Sequence, residues 1–375
     1  MLSRLWSLPS AATSAMMQTL QAELEHMHDR FGAVFGLLLR GDPQAVAQTP
    51  ADEVYTEGKV RLLRYRAQPE RRAGGRPAIP LLIVPSLLNR PYLLDLVPGR
   101  SLVEYLVGRG VDVFLLDWGA PGPESRATTF DQYITGFLRR AAQRVRSITG
   151  HERISLLGYS MGGTFAAIFS ALYGRYVANL ITVAAPIDFH DDGILSQWTR
   201  KERFNVDLVV DTLGAMPAAL MQASFRMLKP TYQIAQQIAL ADQFGDTEAV
   251  QDFLALQFWL DDNIPFLGEA YRTYIKDCYQ ENYLVQGKLV VGGRRVDLGQ
   301  IEAPLLNVLA TKDCICPPQS SNVLGELVSS DDKTLLELPG GHTSLMAGAH
   351  APELFWPQLA DWLIARSDER DDDEE

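Results

Sequence analysis

Residues 153–163 read RISLLGYSMGG, an apolar run passing straight into a serine with a glycine two positions to either side. Small and apolar residues follow in TFAAIFSALY, a composition suited to a closely packed helix. A strand, one sharp turn and a helix must therefore be made within a few residues of Ser160. Such a turn holds the serine in a strained backbone conformation, and a Cβ on Gly158 or Gly162 would collide with adjacent backbone. It lifts the hydroxyl above the end of the strand, and the helix N-terminus behind it favours developing negative charge. In this setting G-x-S-x-G is the signature of a nucleophilic serine.

Further apolar runs at 80–85 (PLLIVP), 111–118 (VDVFLLDW) and 180–186 alternate with helical patterns at 101–109 and 130–149. Short apolar strands alternating with helices predict a parallel sheet covered on both faces. One more strand is expected at 55–66. The rhythm breaks from about 187 to 298, where the chain reads as mostly helical with aromatic and Met-rich faces. It resumes with PLLNVLATK (304–312), a strand at 334–338 and a last helix near 352–365. The expected architecture is an α/β-hydrolase fold: a mostly parallel central sheet flanked by helices, occupying 51–367, with a largely helical cap inserted at about 187–298. Residues 1–50 are expected to form a helical leader, amphipathic in character rather than a signal peptide. Residues 368–375 (DERDDDEE) read as a disordered acidic tail.

A serine hydroxyl is a weak nucleophile until a base takes its proton. In this fold the partners follow in the order Ser, Asp or Glu, then His. Asp313 closes the run PLLNVLATKD, and His342 follows TLLEL in the turn Pro339-Gly340-Gly341-His342. Both fall at strand C-terminal ends, where the turn at Ser160 also points. His342 is therefore assigned as the base and Asp313 as the acid that orients it. His26, His28, His151, His190 and His350 lie on leader, polar or flanking segments and compete poorly. Two backbone N–H groups should hold the oxyanion: that of Met161 and that of Leu87, in the loop Ser86-Leu87-Leu88-Asn89. Trp118, Trp198 and Trp259 are read first as packing residues, and Arg294-Arg295 equally as a surface turn or a phosphate contact.

The formal net charge of -12 argues against nucleic acid as a partner, because phosphate binding wants a basic field. Three cysteines, Cys278, Cys314 and Cys316, are too few for a disulfide framework and suit a reducing cytoplasm. The Cys314/Cys316 pair has no second Cys or His cluster beside it, so no metal site is expected. No stretch is long and apolar enough for a membrane span. The expected chemistry calls for no metal or redox cofactor.

Several segments together resemble the catalytic subunits of polyhydroxyalkanoate synthases, especially the shorter class III and IV type. They are VPSLLNRPYLLDLVPGRSLVEYL (84–106), GVDVFLLDWGAPGP (110–123), GYSMGG (158–163), VAAPIDFH (183–190), the long block 274–318 and PGGHTSLMAGA (339–349). The resemblance spans roughly 55–365 in the same order. It implies polymerisation of 3-hydroxyacyl-CoA into a storage polyester through a covalent acyl-enzyme, with Asp313 and His342 in the matching catalytic positions. It also implies a cap over the site, a homodimer or a companion subunit, and a polyester granule surface as a place of work. Two departures stand out. The family carries a cysteine nucleophile where this chain has Ser160, and commonly a histidine where it has Cys314. A serine makes an oxygen ester and so gives up much of the thioester's driving force in the first step. The expected function is a polyhydroxyalkanoate synthase-like acyltransferase working through acyl-Ser160. The alternative is a serine hydrolase on the same scaffold: an esterase, an acyl-CoA thioesterase or a polyester depolymerase. A third reading, a catalytically weak homologue that binds granules or partner subunits, is disfavoured by the complete Ser, Asp and His set.

Overall fold

A computed structural model of the chain describes residues 46–65, 80–228 and 247–367. The leader, apart from residues 46–50, and the acidic tail lie outside the described residues. Of the described residues, those within 46–228 and 259–367 form one compact unit, while 247–258 group separately.

The larger unit is organised by an eight-stranded sheet. In chain order its strands are β1 (Asp52–Glu57), β2 (Val60–Tyr65), β3 (Leu81–Val84), β4 (Val113–Asp117), β5 (Ile154–Tyr159), β6 (Val177–Val183), β7 (Leu305–Ala310) and β8 (Lys333–Leu338). Their spatial order is β1-β2-β4-β3-β5-β6-β7-β8. β1 and β2 pair antiparallel, as do β2 and β4, and every pairing from β4 through β8 is parallel. The central strands are buried along their whole length, which is why they read as unbroken apolar runs. At the N-terminal edge the single strand expected at 55–66 is instead a hairpin. The chain reverses at Gly58, whose φ of 61° suits a residue without a Cβ.

Helices cover both faces of the sheet. Helix α1 (Leu102–Gly108) starts at Ser101, whose hydroxyl accepts the Glu104 N–H at 2.9 Å. A π-helical turn at Gln132–Leu138 runs into α2 (Arg139–Thr149), which stops at left-handed Gly150. Helix α3 (Met161–Tyr173) lies in the centre, with Phe165, Ile168 and Phe169 fully buried. Truncating Phe165 or Phe169 to alanine should cost about 3–5 kcal/mol, and truncating Ile168 about 2–5 kcal/mol. The last helix among the described residues is α4 (Trp356–Ala365).

β6 and β7 lie side by side, with Leu180 opposite Leu305, so the chain between them leaves the sheet and returns to its neighbour. The described residues of that excursion are mainly helical: Ile194–Trp198, Val206–Leu213, Ala218–Leu228, Thr247–Asp261, Gly268–Thr273 and a π-helical turn at Tyr274–Gln280. Two short antiparallel pairs interrupt it, Ala215–Met216 with Phe266–Leu267 and Val290–Val291 with Arg294–Arg295. Its aromatic residues anchor it to the sheet layer. Tyr274 stacks on Phe130 at 6.0 Å and meets Phe189 edge-on at 5.6 Å. Among the described residues no helix is long and apolar enough to cross a membrane.

Candidate active site

β5 and α3 meet at Ser160, whose φ of 56° and ψ of -129° are strained for a residue with a side chain. Such a conformation costs about 1–3 kcal/mol and persists only where neighbours enforce it. Here the Ser160 N–H donates to the Val183 carbonyl of β6 at 2.9 Å, and the Ser160 carbonyl accepts the Gly163 N–H at 2.8 Å. The glycines let the backbones close up. A Cβ on Gly158 would strike the Gly162 carbonyl oxygen, and one on Gly162 would strike that of Val84 and lie 2.7 Å from that of Pro85. Gly162 therefore seats the elbow directly on the C-terminal end of β3.

The loops after β7 and β8 bring the other two residues to the same edge. His342 Nε2 lies 2.9 Å from Ser160 Oγ, and its Nδ1 lies 2.7 Å from Asp313 Oδ2. The other carboxylate oxygen, Asp313 Oδ1, accepts the N–H groups of Ile315 and Cys316, each at 2.9 Å. The Asp313 side chain is fully buried and that of His342 is 9% exposed. Both Asp313 oxygens are thus engaged. With Nδ1–H donating to the carboxylate, Nε2 is left as an acceptor for the serine proton.

The end of β3 brings the loop of Ser86, Leu87 and Leu88 beside the elbow. The Leu88 N–H donates to Ser86 Oγ at 3.3 Å, whereas the N–H groups of Met161 and Leu87 have no acceptor among the described residues. Two tryptophans bracket this loop. Trp118 donates its indole N–H to the Pro85 carbonyl at 2.9 Å, and Trp259 donates to the Arg90 carbonyl at 2.7 Å. Both are buried and serve packing and loop placement.

Tyr159 was not singled out by the sequence pattern, because its place in G-x-S-x-G tolerates any residue. It is buried under the histidine loop, donating its hydroxyl to the His342 carbonyl at 3.2 Å, with the two rings 5.3 Å apart. Burial, reinforced by the Asp313 charge, pushes its pKa well above the ordinary value. A second element missed is Asn282, left-handed at φ 52°. It donates to Asp188 Oδ1 at 2.8 Å and accepts the Phe189 N–H at 3.1 Å, while Ser320 Oγ donates to the Asp188 carbonyl. Three segments distant in sequence are tied together there.

The competing residues lie elsewhere. His190 contacts the Gln280 carbonyl at 3.2 Å, and exposed His350 faces Glu353. Arg294 donates to the Leu172 carbonyl at 2.8 Å and lies over Tyr173, and Arg295 donates to the Gly287 carbonyl. Cys278 and Cys316 are buried, and desolvation raises both thiols far above their usual range.

Comparison with known proteins bears on the fold and the family. The profile of the alpha/beta hydrolase fold family matches residues 79–349, and that of the poly-beta-hydroxybutyrate polymerase (PhaC) N-terminus matches residues 42–106. The chain is 38% identical to the poly(3-hydroxyalkanoate) polymerase subunit PhaC of Allochromatium vinosum, over 88% of this chain and 92% of that one. It is 36% identical to the subunit of the same name from Synechocystis sp., over 88% of each. Among solved structures, the putative non-heme bromoperoxidase BpoC of Mycobacterium tuberculosis superposes with a TM-score of 0.52 at 14% identity, covering 84% of this chain and 99% of that one. That likeness is one of fold. The sheet, the elbow and the extent of these matches make this chain an enzyme with an α/β-hydrolase fold that belongs to the poly(3-hydroxyalkanoate) polymerase PhaC family.

Proposed function

We propose that this enzyme transfers 3-hydroxyacyl groups from CoA thioesters through an ester on Ser160, with His342 as general base and acid and Asp313 orienting it. The observation carrying this reading is the unbroken chain of contacts from Asp313 through His342 to Ser160, at the strand ends of a PhaC-family chain. His342 Nε2 takes the Ser160 proton as Oγ attacks the thioester carbonyl. The N–H groups of Met161 and Leu87 hold the oxyanion. The carbon–sulfur bond then breaks, and CoA leaves with the proton from His342. In the second half a hydroxyl, from another 3-hydroxyacyl group or a chain end, gives its proton to His342 and attacks the ester. The bond between the acyl carbon and Ser160 Oγ then breaks, His342 returns the proton to Oγ, and the polyester is one unit longer. The insertion, about 187–298, acts as a cap that limits water, and the scheme uses no cofactor beyond the CoA thioester. A homodimer or companion subunit and a granule surface are the partners we assign on the family's pattern.

A serine hydrolase is the second reading, and the identity of residue 160 favours it. An oxygen ester lies close in free energy to the polyester product, so transfer to an alcohol is nearly balanced while transfer to water runs downhill. The buried thiols of Cys278 and Cys316 offer no thiolate in its place. Incubation with 3-hydroxybutyryl-CoA, following thiol release and identifying the acyl product, separates the readings. Polymer that disappears in Ser160→Ala supports the acyltransferase. Free acid alone makes the enzyme a thioesterase, and no thiol release removes CoA thioesters as substrates.

A further inference from the structure

The loop carrying Leu87 is gripped from two sides. On the core side, Gly162 abuts the Val84 and Pro85 carbonyls and Trp118 holds that of Pro85. On the other side stands residues 259–264, a short stretch of the excursion between β6 and β7. The Ile264 N–H donates to the Leu88 carbonyl at 2.9 Å, and Asn89 pairs with Asn263 in an isolated antiparallel bridge. Asn89 Nδ2 donates to Asn263 Oδ1 at 2.9 Å, and the Trp259 indole to the Arg90 carbonyl at 2.7 Å. Asp262 takes the Tyr92 hydroxyl at 3.1 Å on one oxygen and faces Arg90 Nε at 3.5 Å on the other.

These contacts converge on residues 85–90, which hold no regular secondary structure beyond that bridge, and on Tyr92 in the 3-10 turn Pro91–Leu94 that follows. The Leu88 carbonyl, one residue from the Leu87 N–H, is fixed by the inserted stretch and not by the sheet. Asn263 is itself held, its Nδ2 donating to the Leu260 carbonyl at 2.7 Å, so the latch is a preset surface. A hydrogen-bond donor is effective toward a developing oxyanion only when already placed within a few tenths of an ångström.

We propose that Asp262 and Asn263 are positioning residues that latch the oxyanion loop, so that the second oxyanion donor is in place only when residues 259–264 are docked. The proposal rests on the assignment of Ser160 and Leu87 made above. Acyl chains that shift this stretch would then alter the chemical step and not only binding. The latch is polar and partly exposed, with the Asp262 side chain 33% accessible, so it is a contact that can be made and broken without unfolding the core.

The test uses the full-length protein with Asp262→Asn, Asn263→Ala and Tyr92→Phe. Hydrogen–deuterium exchange is followed in the peptides covering 86–92 and 158–165, and binding of an alkyl boronic acid, which forms a tetrahedral adduct on the serine, is measured. Opening the latch should raise exchange in 86–92 by about tenfold, leave 158–165 unchanged and weaken the boronate by about tenfold. Asp262→Glu should restore most of the affinity, and thermal midpoints should stay within about 2 °C. Unchanged exchange in 86–92 in all three variants would overturn the latch. So would raised exchange with unaltered boronate affinity. If the native protein fails to bind the boronate while exchange responds as expected, the assignment of Ser160 fails and the oxyanion role of the latch falls with it. If native binding is tight and no variant weakens it, only the latch fails.

Discussion

Replacing Asp313 by asparagine keeps the size of the side chain and removes its charge, and the surroundings decide which way the amide points. Oδ1 accepts two backbone N–H groups, from Ile315 and Cys316, while Oδ2 meets the single His342 Nδ1. Turning the amide nitrogen toward the two N–H groups would strand both, at about 1–3 kcal/mol each in a fully buried site. The amide oxygen therefore stays with Ile315 and Cys316, and the NH₂ faces Nδ1. Nδ1 must then accept, which moves the imidazole proton to Nε2, facing Ser160. A histidine in that tautomer has no lone pair for the serine proton. Turnover should fall by about 10⁴, equivalent to ~5.5 kcal/mol, with KM within about threefold because Asp313 is not placed to touch substrate. Rapid-quench measurement of CoA release reads this directly. A fall of less than about tenfold would show that His342 is not held in its working tautomer by Asp313.

Gly162→Ala places a methyl on the Val84 carbonyl, so it should destabilise the fold by about 1–3 kcal/mol and lower acylation by more than about tenfold. Urea titration and CoA release together check it, and a wild-type profile would contradict the close seating of the elbow on β3. Tyr159→Phe leaves the His342 carbonyl without its donor, for which a loss of about 1–3 kcal/mol is expected in urea titration. Burial raises the pKa of Tyr65, Tyr159, Tyr271, Tyr274 and Tyr279, and that of Tyr133 to about 12. Unfolded tyrosines lose their protons near 10.0, so stability is fully present below that pH and is lost as pH rises through about 12. Unfolding free energy measured against pH should therefore fall as pH rises from about 10 towards 12, and a flat profile over that range would refute it.

The sheet and the elbow were legible because buried parallel strands appear as continuous apolar runs and because only glycine fits two positions to either side of Ser160. The meeting of Asp313 and His342 with Ser160 was legible because each comes within a few residues of the end of an apolar run, which puts it just past a strand end. The hairpin at 52–65 was missed because its reversal rests on Gly58 and Lys59, set within a run that alternates well enough for one strand. Tyr159 and the latch at 259–264 were missed for a different reason. Their roles come from contacts between segments far apart in sequence, such as Asn89 with Asn263, and no local pattern encodes them. Ser160 is visible from its turn alone, and its departure from the family's pattern is visible only against the cysteine that the family carries there.

The central claim is that the acyl group is carried on Ser160, and mass spectrometry after brief mixing with 3-hydroxybutyryl-CoA tests it most directly. A single 3-hydroxyacyl adduct is expected on the peptide containing Ser160, formed in step with CoA release and absent from Ser160→Ala. An adduct on Cys314 or Cys316, or turnover surviving in Ser160→Ala, would contradict it.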